Sequence, residues 1–200
     1  ITGGDIAPVL ANGKLRVTQS VGGRVGAIKK TKIALESGVD ISFRVNFNAG
    51  SSVPGDGVGL VLVDANNADI AAAPATGGTW LGWGGGALGY NGDSPAAQMR
   101  GGLMSMQIML NGAYQIRVMG PTGTNAVLNP IRSTSISNPY GMDTYYRIVI
   151  DPSSIPMASR TYKIYMSTTG NFASTPVITG LLQDAGLNLS DPSGGFYLGF

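Results

Sequence analysis

Apolar and polar residues alternate along much of this 200-residue chain, and this period of two constrains the fold more than any other feature of the sequence. In the segment 40–48, Ile41, Phe43, Val45 and Phe47 alternate with serine, arginine and asparagine residues. Because successive side chains of a strand point to opposite faces of its sheet, the pattern predicts a half-buried strand. No segment of ten residues shows the period of an amphipathic helix.

A second pattern occurs in the segment 57–65, where both alternating sets are apolar. Val58, Leu60 and Leu62 share one face of the predicted strand, and Val61 lies on the other. A strand that is apolar on both faces is typical of the centre of a packed sheet. Turn signals such as Asn-Gly and Asp-Pro separate further short strands, so the whole chain is predicted to be one all-β domain, a sandwich or a barrel. Those further strands are predicted at 14–18, 24–28, 103–110, 114–119, 145–150, 161–167 and 195–200.

The composition excludes several kinds of chemistry. Cysteine and histidine are both absent, and Glu36 is the only glutamate. Disulfide frameworks, Cys/His zinc sites and histidine-dependent catalytic triads are therefore ruled out. The net charge is only +2, with scattered basic residues, and no apolar run approaches the ~20 residues of a membrane helix. We predict a non-enzymatic protein with no nucleic-acid partner and no membrane insertion.

Several short motifs, taken in order, resemble the legume-type (L-type) lectin domain. They are the phenylalanine-containing strand 41–47, the Asp-Gly pair that opens the apolar strand at 56–62, and a glycine run that closes in Leu-Gly-Tyr at 84–90. The resemblance covers nearly the whole chain and implies a concanavalin A-like jelly roll, which is a β-sandwich of two antiparallel sheets. The segments that correspond to the family's opening hairpin and last core strands are 12–35, 145–150, 161–166 and 195–200.

The resemblance also implies a sugar site. In the family, the aspartate of the Asp-Gly pair and a backbone N–H of the glycine-rich loop hold the hydroxyl groups of a sugar. These roles fall on Asp56 and on one or more of Gly84, Gly85 and Gly86. An ionised carboxylate accepts hydrogen bonds from two hydroxyls, and glycine lets the backbone approach the sugar ring closely. The alternative is that Asp56 caps the turn 54–57 and that the glycines only turn the chain.

Aromatic and polar residues extend this predicted site. Trp80 and Trp83 flank the glycine run, and an exposed indole face packs well against a sugar ring. If their segment is extended, the two indoles point to opposite faces, so at most one of them faces solvent. Asn111 and Tyr114 offer polar contacts from a tight turn. The alternatives are packing inside the sandwich for the tryptophans and ordinary turn chemistry for Asn111 and Tyr114.

The sequence departs from the family at the metal site. Members that bind sugar through calcium and a transition metal carry a Val-Glu-Phe-Asp type strand, then a loop of Asp and Asn ligands, then a histidine. The corresponding strand here is 104–110, with Gln107 and Met109 in place of the two carboxylates, and 110–114 has the pattern of a tight hairpin. Because a thioether cannot replace a hard oxygen ligand of calcium, we predict no metal, no other cofactor and a metal-independent sugar site.

Two other functions stay open at this point. The same jelly roll hosts glycosidases, but no Glu-x-Asp-x-Glu strand is present, so a catalytic carboxylate pair would need two loop aspartates. The family's chains continue past the Gly-Phe found here at 199–200 into a return strand, and a sheet edge without that strand invites pairing with a neighbouring chain. We therefore expect a lectin-like glycan-binding module on an extracellular or virion surface. The alternative is a subunit of a capsid, virion appendage or extracellular filament, which self-associates through sheet edges and binds no sugar.

Overall fold

In the computed structural model, the described residues are 9–11, 13–16, 34, 36–47, 56–64, 102–110, 113–120, 130–185 and 196–199. Among them no helix is long and apolar enough to cross a membrane. Their regular structure consists of β-strands and two single 3₁₀ turns, at Met157–Ser159 and Gln183–Ala185. The strands are β1 (Val9–Ala11), β2 (Lys14–Arg16), β3 (Val39–Asn46), β4 (Gly57–Asp64), β5 (Gly102–Met109), β6 (Gln115–Met119), β7 (Arg132–Ser135), β8 (Asp143–Ile150), β9 (Thr161–Ser167), β10 (Ile178–Leu181) and β11 (Phe196–Gly199).

The strands form two larger sheets and one small hairpin. One sheet has four strands in the order β10-β9-β8-β3, and the other has five in the order β11-β4-β5-β6-β7. Strands β1 and β2 pair as a hairpin, with Ala11 opposite Lys14 and Gly13 in its turn at a φ of 71°. Every pairing between these strands is antiparallel. The all-β, two-sheet antiparallel sandwich that the sequence predicted is thus confirmed.

The core lies between the two sheets. Even-numbered residues of the five-stranded sheet, such as Leu60, Met106 and Ile116, belong to the same buried cluster as Ile148 and Ile164 of the four-stranded sheet. All five are at most 1% exposed. Burying each such side chain contributes about 1.5–3 kcal/mol, so the cluster is the main source of stability. The alternation of apolar and polar residues in the sequence therefore corresponds to which side of each strand faces the core.

The two sheets differ in how they are covered. In β3 of the four-stranded sheet, buried or half-buried residues alternate with exposed ones, as the pattern of 40–48 predicted. The central strands of the five-stranded sheet are buried on both faces, since Val61, Ser105 and Met119 point away from the core cluster and are at most 1% exposed. The prediction of a central strand at 57–65 is confirmed.

Three of the observed strands were not predicted from the sequence. They are β1, β7 and β10, which have only three or four residues each. Strand β7 reads Arg-Ser-Thr-Ser and is mostly exposed, so it has no apolar alternation to detect. The predicted strand 24–28 lies outside the described residues. Among the described strands, β11 and β3 each end a sheet, and assembly through sheet edges stays a prediction.

A buried polar junction connects β8 to β9. The Asp151 carboxylate accepts hydrogen bonds from the Thr161 amide at 2.9 Å and the Thr161 hydroxyl at 2.7 Å. The buried Arg160 guanidinium donates to the Asp151 carbonyl oxygen at 2.9 Å. Burial acts to raise the pKa of Asp151, but the Thr161 hydrogen bonds and the charges of Lys163 and Arg160 outweigh it, so the pKa lies below 3.8.

This junction makes part of the stability pH-dependent. The lowered pKa means that the carboxylate stabilises the fold fully above its ordinary pKa of 3.8 and loses this effect as the pH falls through its lower folded value. We expect Asp151→Asn to lower the free energy of unfolding by about 1–2 kcal/mol at pH 7. The fall of this free energy between about pH 4 and pH 2 should also be smaller in the variant than in the wild type. Urea titrations across this pH range measure both effects.

A suitable control is Asp184→Asn. The Asp184 carboxylate lies 3.6 Å from Arg132 in an ion pair whose side chains are both at least 41% exposed. Such pairs contribute little, so this change should cost under about 1 kcal/mol. An Asp151→Asn profile that runs parallel to the wild-type profile down to pH 2 would contradict the account.

Candidate functional site

Two predicted site residues lie at the same end of the five-stranded sheet. Strand β4 begins at Gly57, β5 ends at Met109 and β6 begins at Gln115, and these three residues are register partners across the sheet. Asp56 directly precedes the first of these strands and Tyr114 directly precedes the last. We call this end of β4, β5 and β6, with Asp56 and Tyr114, the site end.

The backbone at Asp56 is held by its neighbour across the sheet. The Leu110 amide donates a hydrogen bond to the Asp56 carbonyl oxygen at 3.0 Å, which extends the β4–β5 pairing by one residue. Gly57 has a φ of 135°, and a Cβ there would overlap the carbonyl of Ile108. Only glycine satisfies both conditions, so the glycine of the Asp-Gly pair is a requirement of the local fold. The direction in which the chain enters β4 from Asp56 is therefore fixed.

Aromatic packing holds the other side of the site end. The Tyr114 ring meets Tyr140 edge-on at 5.9 Å between centroids, and Tyr140 meets Phe47 in the same way at 6.4 Å. Backbone hydrogen bonds reinforce this packing, from Ile136 to Tyr114 and from Gly141 to Phe47, each at 3.0 Å. Burial, together with the nearby Tyr114, raises the pKa of Tyr140. Because Phe47 follows β3, this row of rings joins the two sheets at the site end.

A buried polar cluster lies on the face of the five-stranded sheet that points away from the core. The Arg117 guanidinium nitrogen Nη2 donates to Gln107 Oε1 at 2.9 Å and to Met109 Sδ at 2.7 Å. Arg117 is 7% exposed and Gln107 is fully buried. Burial lowers the pKa of the Arg117 guanidinium from its ordinary value. An arginine remains cationic at neutral pH even so.

These contacts bear on the predicted lack of a metal. The resemblance predicted Gln107 and Met109 at the positions of the family's two carboxylates, and in the structure both contact one cation, Arg117. A thioether and a guanidinium are not ligands of a hard divalent cation such as calcium, and the Gln107 amide oxygen already accepts a hydrogen bond from Arg117. In the described part of the chain, no group of three or more Asp or Glu side chains is placed to hold one. For the chain as a whole, the absence of a metal stays a prediction.

Some predicted positions lie outside the described residues. They are Trp80, Trp83, Gly84, Gly85, Gly86 and Asn111, whose roles stay predictions. Sequence reasoning in turn missed Arg117, Tyr140 and Phe47 as parts of the site end. The charge of Arg117 between apolar neighbours was a usable signal, whereas Tyr140 lies in a segment with no pattern.

The fold is similar to that of two solved lectin-type structures. The crystal structure of basic winged bean lectin with Tn-antigen has a TM-score of 0.57 and 14% identity, covering 92% of this chain and 74% of that one. The exoplasmic/lumenal domain of VIP36 in its Ca²⁺/Man2-bound form has a TM-score of 0.58 and 10% identity, covering 99% and 71%. No protein-family model and no curated protein matches the sequence. The comparisons confirm the concanavalin A-like fold that the motifs indicated.

The conformation of Gly57 leads to a direct test. We expect Gly57→Ala to lower the free energy of unfolding by about 3 kcal/mol, since the new Cβ combines a strained φ with backbone overlap. The matched control is Gly141→Ala, because Gly141 has a φ of 73° but nothing within 4 Å of its added Cβ. Its cost should be about 1 kcal/mol. If urea denaturation gives the same loss of unfolding free energy for both variants, the close approach of Gly57 to the Ile108 carbonyl is absent.

Proposed function

We propose that this chain is a lectin-like, non-enzymatic module that binds a glycan at the site end. The observation that carries the proposal is the placement of Asp56 and Tyr114 at the same end of one sheet, next to β4 and β6 with β5 between them, in a fold shared with a lectin. The similar structures hold Tn-antigen in one case and Man2 in the other. A carboxylate and a phenol on a rigid strand end form a suitable start for recognising sugar hydroxyls.

The Asp56 carboxylate is the principal contact in this proposal. Its backbone is held by Leu110, so the side chain leaves the sheet from a fixed point. Half-buried, it accepts hydrogen bonds from two sugar hydroxyls, and such charge-assisted bonds are stronger than neutral ones. Tyr114 adds a hydroxyl group, while Tyr140 supports its ring. A fixed carboxylate loses less entropy on binding than a mobile one would.

The remaining contacts come from the segments predicted by the sequence. Backbone N–H groups of Gly84, Gly85 or Gly86 donate to the sugar, one indole of Trp80 or Trp83 stacks on its ring, and Asn111 adds a polar contact. Extracellular or lumenal exposure suits a glycan-binding role, and the VIP36 domain is described as exoplasmic/lumenal. The same proposal includes display on a virion surface.

The glycan proposal is tested by array binding. We expect the wild type to bind at least one class of immobilised glycan and Asp56→Ala to bind it at least tenfold more weakly, because a charged hydrogen-bond partner contributes about 1.5–3 kcal/mol. Asp184→Ala serves as the control and should bind like the wild type, since Asp184 pairs with Arg132, whose register partner Val118 lies toward the other end of β6 from Tyr114. Equal binding by wild type and Asp56→Ala, or no binding by either, would contradict the proposal.

Metal independence has its own test. We expect excess EDTA to leave both glycan binding and the thermal midpoint unchanged within about 1 °C, since a protein that binds no metal gains no stability from it. Differential scanning calorimetry with added calcium, and then with chelator, measures this. A midpoint that falls by several degrees in chelator would overturn the metal-independent site.

A further inference from the structure

The Arg117 side chain runs along the sheet toward the site end. Arg117 lies directly opposite Gln107 in the β5–β6 register, while Met109 is two residues farther along β5. Its Nη2 contacts both, at 2.9 Å to the amide oxygen and 2.7 Å to the sulfur. The buried guanidinium of Arg117 therefore connects β6 to the end of β5.

Met109 passes this restraint to the predicted site residues. It is the last residue of β5, and its register partners are Gly57 and Gln115, the neighbours of Asp56 and Tyr114. The next residue, Leu110, donates the hydrogen bond that holds the Asp56 carbonyl oxygen. A short path of contacts thus leads from the guanidinium to the backbone of Asp56.

A guanidinium is well suited to this place. It is planar and weakly hydrated, with five N–H donors, so it withstands burial better than the compact ammonium group of a lysine. Leaving the buried Gln107 oxygen without a donor would carry a desolvation cost. The interaction is therefore expected to keep one geometry and to restrict motion at the end of β5.

We propose that Arg117 is a positioning residue, whose guanidinium secures the end of β5 and thereby the backbone of Asp56. In this role an internal cation supports the site end. The link from this restraint to glycan binding rests on the proposed function, but the restraint on Leu110 and Asp56 does not depend on it.

Hydrogen exchange at two amides tests the restraint. In Arg117→Met we expect the Leu110 amide to exchange about tenfold faster, while the Val177 amide changes little, because it bonds Ile164 in the four-stranded sheet. The matched control is Arg147→Met, since Arg147 is a surface arginine bound by Asp40 at 2.6 and 2.8 Å. It should leave Leu110 exchange unchanged. Equal acceleration at both amides in Arg117→Met, or none at Leu110, overturns the positioning role.

A milder variant covers the case in which Arg117→Met does not fold. Met109→Leu removes the sulfur acceptor at similar volume, and we expect Leu110 exchange to rise about threefold relative to Val177. No selective rise would overturn the proposal.

Glycan binding separates this proposal from the proposed function. If the wild type binds an array glycan, Arg117→Met should bind it at least fivefold more weakly while Arg147→Met binds normally. Faster Leu110 exchange with unchanged glycan binding would overturn the link to the ligand. If no variant binds any glycan, the proposed function fails, and the exchange result alone decides whether Arg117 restrains the strand end.

Discussion

Burial of both faces of β4, β5 and β6 is the constraint on which the rest of the structure depends. One face packs against the four-stranded sheet and is built from aliphatic and methionine side chains. The other face is equally hidden but holds Ser105, Gln107 and Arg117 among apolar neighbours. Polar groups that are hidden from water must find partners inside the protein, because unpaired they cost free energy. The contact with Arg117 gives the Gln107 amide oxygen its partner, and the same guanidinium nitrogen also contacts Met109.

Two independent restraints converge on the site end. One acts through the backbone, where the close approach at Gly57 and the Leu110 hydrogen bond fix the approach to β4. The other acts through rings, where Tyr114, Tyr140 and Phe47 join the two sheets. Saccharide recognition favours polar groups that are already in place before the ligand arrives. In the account proposed here, the chain supplies this rigidity from its own side chains.

The fold was largely predictable because its physical cause is local. Alternation in 40–48 and the doubly apolar segment 57–65 correspond to β3 and β4, and the Asp-Gly pair marks a backbone position that only glycine tolerates. Strand β7 was not predictable, since its pairing with β6 supplies order that its exposed polar residues do not encode. Short edge strands take their conformation from the neighbour they pair with.

The site was predictable only in part. Asp56 was predicted from the resemblance. The register of Gly57 with Met109 and Gln115 then places Asp56 at the end of the sheet that carries Tyr114. Arg117 on β6 contacts Met109 diagonally on β5, two residues beyond its register partner Gln107. Such a contact depends on strand register and side-chain direction, which the spacing of residues along one strand does not reveal. Long-range pairings of this kind are what a single sequence conveys least.

The central claim is that a glycan binds at the site end without a metal. The most direct test is a two-dimensional NMR titration in excess EDTA, using the glycan that the protein binds most tightly on an array. The account predicts saturable shifts centred on the amides of Asp56, Gly57, Leu110 and Tyr114, with small changes in β8 and β9. Shifts centred on β8 and β9, or binding that appears only after calcium is restored, would contradict it.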